Sequence, residues 1–410
     1  MQTLIKIARK QLSSSHVFFL SVLLVNIGNY AFNLLMGRLM GPVVFSEIAF
    51  LVTLLLALSF LAMTIQLVAT KYVIELNTKN KIAFTSYLYK WAIGLGFIFA
   101  ALFILFATPL ANTFKIQSPT VFYFFGMGIP VYFVMSVTRG LNQGQQDFIK
   151  LSISYISEMV FRFVISFLLI FTTSLSPIVA VSIGILVSFI AGLWPNSFKW
   201  SLLINSFKLS SSITKPIITF LSFTGIYECT QIIINNSDIL LVKHYFDAHQ
   251  AGLYASLALI GRVVYFMIWM LIMVFIPKVI EAKHSGKNPK IILLPYFKGI
   301  LCITTALVVG CAICPELIIS IFFGEAYIEM APLLYQYALA TSLFALANLF
   351  CYYYLSLSIY KPVILAFGFA SLQLVSIALF HNSLTQVVQV QIAIMSVLLI
   401  ILLAYFFSRK

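Results

Sequence analysis

Twelve long stretches of this chain carry almost no charge, and each is long enough to cross a lipid bilayer. A helix needs about 20 apolar residues to span the hydrocarbon core. These charge-poor runs fall at about 15–37, 45–70, 86–108, 119–139, 150–172, 177–198, 216–242, 250–276, 291–314, 331–355, 361–380 and 385–408. The breaks between them carry turn chemistry: Gly41-Pro42, Pro109, Ser118-Pro119, Ser176-Pro177, Lys215-Pro216 and Lys361-Pro362. The first run follows Lys6, Arg9 and Lys10 as a signal peptide would, but no small-residue cleavage site comes after it, so it reads as a retained span. The expected fold class is therefore an all-α membrane protein of about twelve transmembrane helices.

Composition agrees. Of the 410 residues 62% are hydrophobic and only 9% charged. A soluble domain carries about a quarter charged residues. Too little polar side chain is present here to cover a water-facing surface. Disorder and a collagen-like fold are excluded on the same ground.

The net charge of +14 would suit a nucleic-acid binder, but its distribution does not. With the N-terminus in the cytoplasm, 20 of the 25 Lys and Arg fall in the termini and inner loops. Arg38, Lys115 and Lys243 fall outside, and Arg162 and Arg262 lie inside spans. Such a bias is the positive-inside signature, and an odd number of spans would break its alternation. Both termini are expected in the cytoplasm, with lipid as the surrounding partner and no nucleic acid.

No loop is long enough for a soluble catalytic domain, and no G-x-x-x-x-G-K-[ST] occurs. Transport powered by ATP hydrolysis within this chain is excluded, and no enzyme activity is expected. Cys311 and Cys314 form a C-x-x-C inside an apolar region, with no second pair to close a metal site. They read as small packed side chains.

A faint internal repeat divides the chain. Asn29 and Asn235 match at an offset of 206, as do Phe45–Ala49 with Ala251–Ala255 and Thr108-Pro109-Leu110 with Cys314-Pro315-Glu316. Ser118-Pro119 meets Ala331-Pro332 at 213, as if the outer loop before the tenth span had grown. Six spans per half makes the repeats parallel, related by a pseudo-two-fold axis along the membrane normal. The expected lobes are 1–205 (spans 1–6) and 206–410 (spans 7–12), divided in the Lys199–Lys215 loop, with a substrate cavity between them.

Three segments resemble the oligosaccharide-lipid flippases of the multidrug/oligosaccharidyl-lipid/polysaccharide exporter superfamily. Gly37-Arg38-Leu39-Met40-Gly41-Pro42 with Phe45-Ser46 resembles the end of their first span. Asn236-Ser237-Asp238-Ile239-Leu240-Leu241-Val242-Lys243, with Ala251-Gly252-Leu253-Tyr254, resembles their seventh and eighth spans. Arg139-Gly140, Gln143-Gly144, Glu158 and Arg162 complete a likeness to Wzx-type O-antigen and capsule-repeat flippases. The resemblance implies movement of undecaprenyl-diphosphate-linked oligosaccharide from the inner to the outer leaflet, for surface polysaccharide such as lipopolysaccharide. It also implies a polysaccharide polymerase and a chain-length regulator as partners.

Charges deep in a span are the candidate functional residues, because lipid penalises each one. Glu158 and Arg162 stand at i, i+4, either as a packing bridge or with Arg162 facing the cavity and Glu158 orienting it. Arginine suits a phosphate because its planar fork makes two parallel hydrogen bonds. Arg262 has no acid at i±3 or i±4, so it faces the cavity or pairs with Glu228 of the seventh span. Arg38 and Arg139 lie near span ends, as phosphate or headgroup contacts or as topology anchors. Asn26, Asn29 and Asn33 form a polar stripe that either glues helices or lines a wet pathway. Asp238 either pairs with Lys243 at the interface or, as the resemblance implies for a seventh-span acid, holds a coupling H+ or Na+. Glu228, Asn235 and Asn236 are the other candidates for that ion, and no other cofactor is expected.

Competing readings stay within the same architecture. A multidrug exporter of the superfamily would favour an acidic cavity for organic cations, whereas this chain offers arginines. An O-antigen polymerase or ligase needs a large outer loop, and none is present. A scaffold without transport leaves the deep arginines unexplained.

The charge count makes topology testable. Reporter fusions after Lys115, Lys243 and Glu325 are expected to report the outside, and after Lys81 and Lys287 the cytoplasm. One reversed pair overturns the arrangement.

Overall fold

The computed structural model describes residues 2–196, 211–284, 286, 288–357 and 359–408. Side chains are described throughout these except at 2–16, 19, 75, 78, 79, 211–213, 262, 264–270, 272–274, 276–278, 280, 281, 283 and 284. Thirteen α-helices run through the described residues, with no strand among them. They are α1 (Gln2–Glu75), α2 (Thr78–Leu105), α3 (Ala107–Thr113), α4 (Thr120–Gly144), α5 (Phe148–Thr172), α6 (Pro177–Ala191) and α7 (Ser211–Tyr245). Then follow α8 (Ala248–His284), α9 (Lys290–Ile313), α10 (Pro315–Phe322), α11 (Ala331–Ser356), α12 (Lys361–Leu379) and α13 (Leu384–Ser408). A 3-10 helix, Glu325–Met330, precedes α11. Among the described residues nine helical stretches are long and apolar enough to cross a membrane, and α6 is a shorter apolar helix.

Every expected span falls on a helix. The first two share α1, which bends at Gly41. Gly41 has φ 72° and ψ 171°, a left-handed conformation open to glycine, and Pro42 begins the next segment. The short helices α3 and α10 were not foreseen. Each occupies the Pro109 or Pro315 segment that matched at the 206 offset. The 3-10 helix follows α10, where the sequence matches shift from 206 to 213.

The chain divides into two compact units. One comprises Met1–Asn33 and Leu54–Glu228; the other comprises Leu34–Thr53 and Cys229–Lys410. Two segments depart from the expected halves: the bend of α1 belongs with the C-terminal residues, and 206–228 with the N-terminal ones. Much of the Lys199–Lys215 loop lies outside the described residues.

Each unit is built around the fourth long helix of its half. In the first, α4 packs on α2, α5 and α6. Gly140 and Gly144 let it approach the α1 backbone at Gln66 and Thr70, where a Cβ would collide. In the second, α11 packs on α8, α9, α12 and α13. Lipid offers no hydrophobic drive between helices, so such close packing carries much of the association.

The bend of α1 docks inside the second unit. Gly37 accepts a hydrogen bond from the Tyr327 hydroxyl at 2.7 Å. Phe45 packs on Phe323 and Tyr327. Buried Lys243 donates to Ser46 Oγ at 3.0 Å. Gly252 lies against the Pro42 carbonyl with no room for a Cβ. Two of the segments that carry the sequence resemblance thus meet here.

Gly252→Val forces a side chain onto that carbonyl and is expected to destabilise the protein by about 1–3 kcal/mol, the usual range for overpacking. Gly225→Ala, with nothing within 4 Å of its added Cβ, is the control. Thermal unfolding in lipid nanodiscs checks this; equal melting temperatures for the two variants contradict the docking.

Candidate functional site

The first unit buries two arginines around one carboxylate. Arg139, Glu158 and Arg162 are 4%, 8% and 7% exposed. Glu158 Oε2 lies 2.8 Å from Arg139 Nη1, while its Oε1 lies 3.4 Å from Arg162 Nη1. The i, i+4 pair read from sequence is present, but the closer partner comes from α4. Arg139 also donates from Nε to Ser154 Oγ at 2.8 Å and from Nη2 to the Ser154 carbonyl at 3.0 Å. Its guanidinium lies 3.9 Å from the Tyr155 ring centre. The α4 and α5 backbones fix this geometry, because Ser154 in turn donates to the Gly192 carbonyl beyond the end of α6.

The two arginines therefore differ in kind. Arg139 is expected from sequence at a membrane surface, as a headgroup contact or anchor; it is instead buried within α4 with its fork largely committed. It leaves the loop-charge count, whose sign is unaffected. Among the described residues Arg162 donates to Glu158 and to the side-chain oxygen of Asn29. A guanidinium has five N–H donors. Three of Arg162's five are thus not committed to any described residue, next to a carboxylate already drawn toward Arg139. The cluster holds two positive charges and one negative.

The asparagine stripe resolves into separate roles. Asn29 meets Arg162, Asn33 donates to the Asn29 carbonyl at 2.8 Å, and Asn26 is exposed. Arg38 is exposed and donates to the Ile321 carbonyl at 3.0 Å, within the second unit.

The second unit holds a buried acid in a polar network. Asp238, 1% exposed on α7, accepts at Oδ2 from the hydroxyls of Tyr337 at 2.8 Å and Tyr254 at 3.0 Å. Gln391 donates to Tyr254 Oη at 2.6 Å. Gln231 donates to Asn348 Oδ1 at 3.0 Å. Asn235 donates to the Gln231 carbonyl at 2.9 Å and Asn236 to the Ile232 carbonyl at 3.2 Å. Beside this network lies a small space of about 20 Å³ lined by Asn235, Tyr337, Thr341, Gln373 and Gln391 among others. That is room for one water-sized particle. Tyr337 joins the space to the Asp238 carboxylate. Lys243, the alternative partner for Asp238, donates to Ser46.

Glu228 is 9% exposed and lies at the edge of the first unit. Arg262 is on α8, but its side chain lies outside the described residues, as does any pairing with Glu228.

Sequence reasoning missed the neutral members of both clusters: Ser154, Tyr155, Tyr254, Tyr337 and Gln391. Gln66, which donates to Gln143 Oε1 at 2.8 Å, is another. A tyrosine or glutamine in an apolar run looks the same whether it packs or bonds a charge. Gln66 and Gln391, large amides inside spans, carried a usable signal.

Comparison with known proteins supplies the family. A family model described as polysaccharide biosynthesis protein matches residues 12–283. A search of curated protein sequences finds no match. Several solved structures share the fold. An inward-facing multidrug resistance MATE family transporter of the MOP superfamily matches with TM-score 0.77 at 13% identity, over 94% of each chain. The lipid II flippase MurJ, inward closed, matches with TM-score 0.75 at 14% identity, over 95% of this chain and 87% of that one. A MOP superfamily transporter from Pyrococcus furiosus, described as having a binding pocket of reverse polarity, matches with TM-score 0.63 at 13% identity, over 98% of this chain and 95% of that one.

The contrast between the two arginines predicts unequal losses. Arg139→Ala strips Glu158 of its close partner, and breaking a buried pair costs about 3–5 kcal/mol. Arg162→Ala removes only a long contact to Glu158 and is expected to unfold much closer to wild type. Equal shifts in nanodisc melting temperature contradict the assignment of Arg139 as the structural member.

Proposed function

Because this chain belongs to the polysaccharide biosynthesis protein family and has the fold of MOP superfamily transporters, we propose that it is a Wzx-type flippase. Its substrate is an undecaprenyl-diphosphate-linked oligosaccharide repeat unit, carried from the inner to the outer leaflet of the bacterial inner membrane. Both termini are cytoplasmic, and a polymerase and a chain-length regulator take the product into O-antigen or capsule.

The carrying observation is Arg162, a buried guanidinium with spare donors in a net-positive cluster. A diphosphate oxygen accepts charge-assisted N–H bonds from such a fork. Asn29 and Glu158 hold the fork in place. An organic cation, the cargo of the multidrug reading, would be repelled by it. Arg262 is the proposed second phosphate contact. The polymerase or ligase reading has no catalytic cluster to support it.

Energy coupling follows from the second unit. An inside-negative potential already favours outward movement of a diphosphate, by about 2.3 kcal/mol per charge per 100 mV. A bound H+ or Na+ then resets the carrier. Asp238, with Tyr337 between it and the small polar space beside Asn235, is the proposed place for that ion.

The test uses a strain lacking this gene. Arg162→Ala is expected to abolish surface polysaccharide while still inserting, and Arg162→Lys to restore it in part. One charge-assisted bond contributes about 1.5–3 kcal/mol. In vesicles, Asp238→Asn is expected to flatten the response to an imposed proton or sodium gradient without weakening lipid-diphosphate binding. Normal polysaccharide from a stably inserted Arg162→Ala returns that residue to packing, and a wild-type gradient response from Asp238→Asn removes it from coupling.

A further inference from the structure

The second unit carries a larger cavity, of about 690 Å³, that neither the arginine cluster nor Asp238 uses. It opens where α7 ends, α8 begins, the 3-10 helix enters α11, and α12 turns into α13. These ends lie together on one face of the unit. The loop-charge count makes it the outer face. The volume falls in the range of small-molecule sites, about 300–1,000 Å³.

The lining chemistry is selective. Tyr245 stacks on His381 with ring centres 3.7 Å apart and 19° between planes, yet remains 36% exposed. Around this aromatic pair lie two exposed carboxylates, Asp247 and Glu329, and two amides, Gln250 and Gln336. Among the described residues no lysine or arginine lines the cavity. His381 Nδ1 is buried and finds no hydrogen-bond partner among the described residues.

The walls are also braced. Asp247 caps α8, accepting the Gln250 backbone N–H at Oδ1 at 2.8 Å. Its second oxygen is left for another donor. The turn between α12 and α13 is tied by Asn382 N–H to Gln386 Oε1 at 2.8 Å and by Gln386 N–H to Ser383 Oγ at 3.2 Å. A brace of this kind holds polar groups in place before a ligand arrives, which lowers the ordering cost of binding.

Two carboxylates in a lining without a described lysine or arginine disfavour a phosphate, so this does not suit a second diphosphate. A sugar ring offers the matching surface. Its hydroxyls donate to carboxylate and amide oxygens and accept from amide N–H, and its C–H face lies on an aromatic ring. We propose that this cavity is a carbohydrate-binding site that takes a neutral or amino sugar of the transported glycan at the outer face. The proposal deepens the flippase reading and rests on it: the sugar portion of the proposed substrate is received here, within the second unit.

The test measures sugar binding apart from transport. Full-length protein in lipid nanodiscs, free of sugar-headed detergent, is examined by saturation-transfer-difference NMR. The probes are glucosamine, N-acetylglucosamine, galactose, mannose and rhamnose, each at millimolar concentration. At least one is expected to saturate. Tyr245→Ala is expected to raise its dissociation constant ten-fold or more, and Glu329→Gln several-fold. Glu329 is exposed and the substitution keeps its shape, so this variant reads the site even where Tyr245→Ala fails to fold. Arg162→Ala is expected to leave sugar binding unchanged. The proposal is overturned if no sugar saturates, if Glu329→Gln binds as wild type does, or if Arg162→Ala abolishes the signal. Farnesyl diphosphate is titrated into the same samples. Its binding without any sugar signal removes the carbohydrate site and leaves the flippase reading standing. A sugar signal without diphosphate binding does the reverse.

Discussion

Hydrocarbon solvates neither a bare peptide group nor a bare charge. Backbone polar groups must therefore bond within helices, and each deep side-chain charge must find a partner. Helices supply the first demand everywhere in this chain. The second is met at a few places, and those places are where chemistry can occur. Arg139 and Glu158 satisfy each other across α4 and α5 at 2.8 Å. That pairing leaves Arg162 with donor capacity that packing does not consume.

The same constraint shapes the second unit differently. Asp238 is held by two tyrosine hydroxyls, and one of them is held by Gln391. The first unit thus buries two guanidinium groups around one carboxylate, while the second bonds its carboxylate through hydroxyl donors.

Much of the candidate site could be read from residues alone, and the reason is scarcity. Glu158, Arg162 and Asp238 stand out because so few charges interrupt the spans. Their partners do not stand out. Tyr254 and Tyr337 are two of 20 tyrosines, and nothing local marks them as ligands of an acid. Arg139 was misplaced because helix ends are the least legible feature of a charge-poor run. Five residues more of α4, as far as Gly144, turn an interfacial anchor into a buried ion pair. The larger cavity of the second unit was invisible, since Tyr245 and Asp247, Glu329, and His381 come from three distant segments and meet only where helix ends converge.

The sequence by itself determined that this chain lives in lipid, that its spans are helical, where those spans fall, and which few charges lie deep. Each of these follows from transfer free energy and local hydrogen bonding, which depend on composition within about 20 residues. Tertiary structure alone decided which charge meets which, because a pair such as Glu158 with Arg139 depends on how two helices cross. It also decided that Leu34–Thr53 belongs with the second unit. Gly252 against Pro42, and Tyr327 on Gly37, are contacts between segments about 200 or more residues apart. No local periodicity encodes such a meeting; the shape of the packed surfaces does.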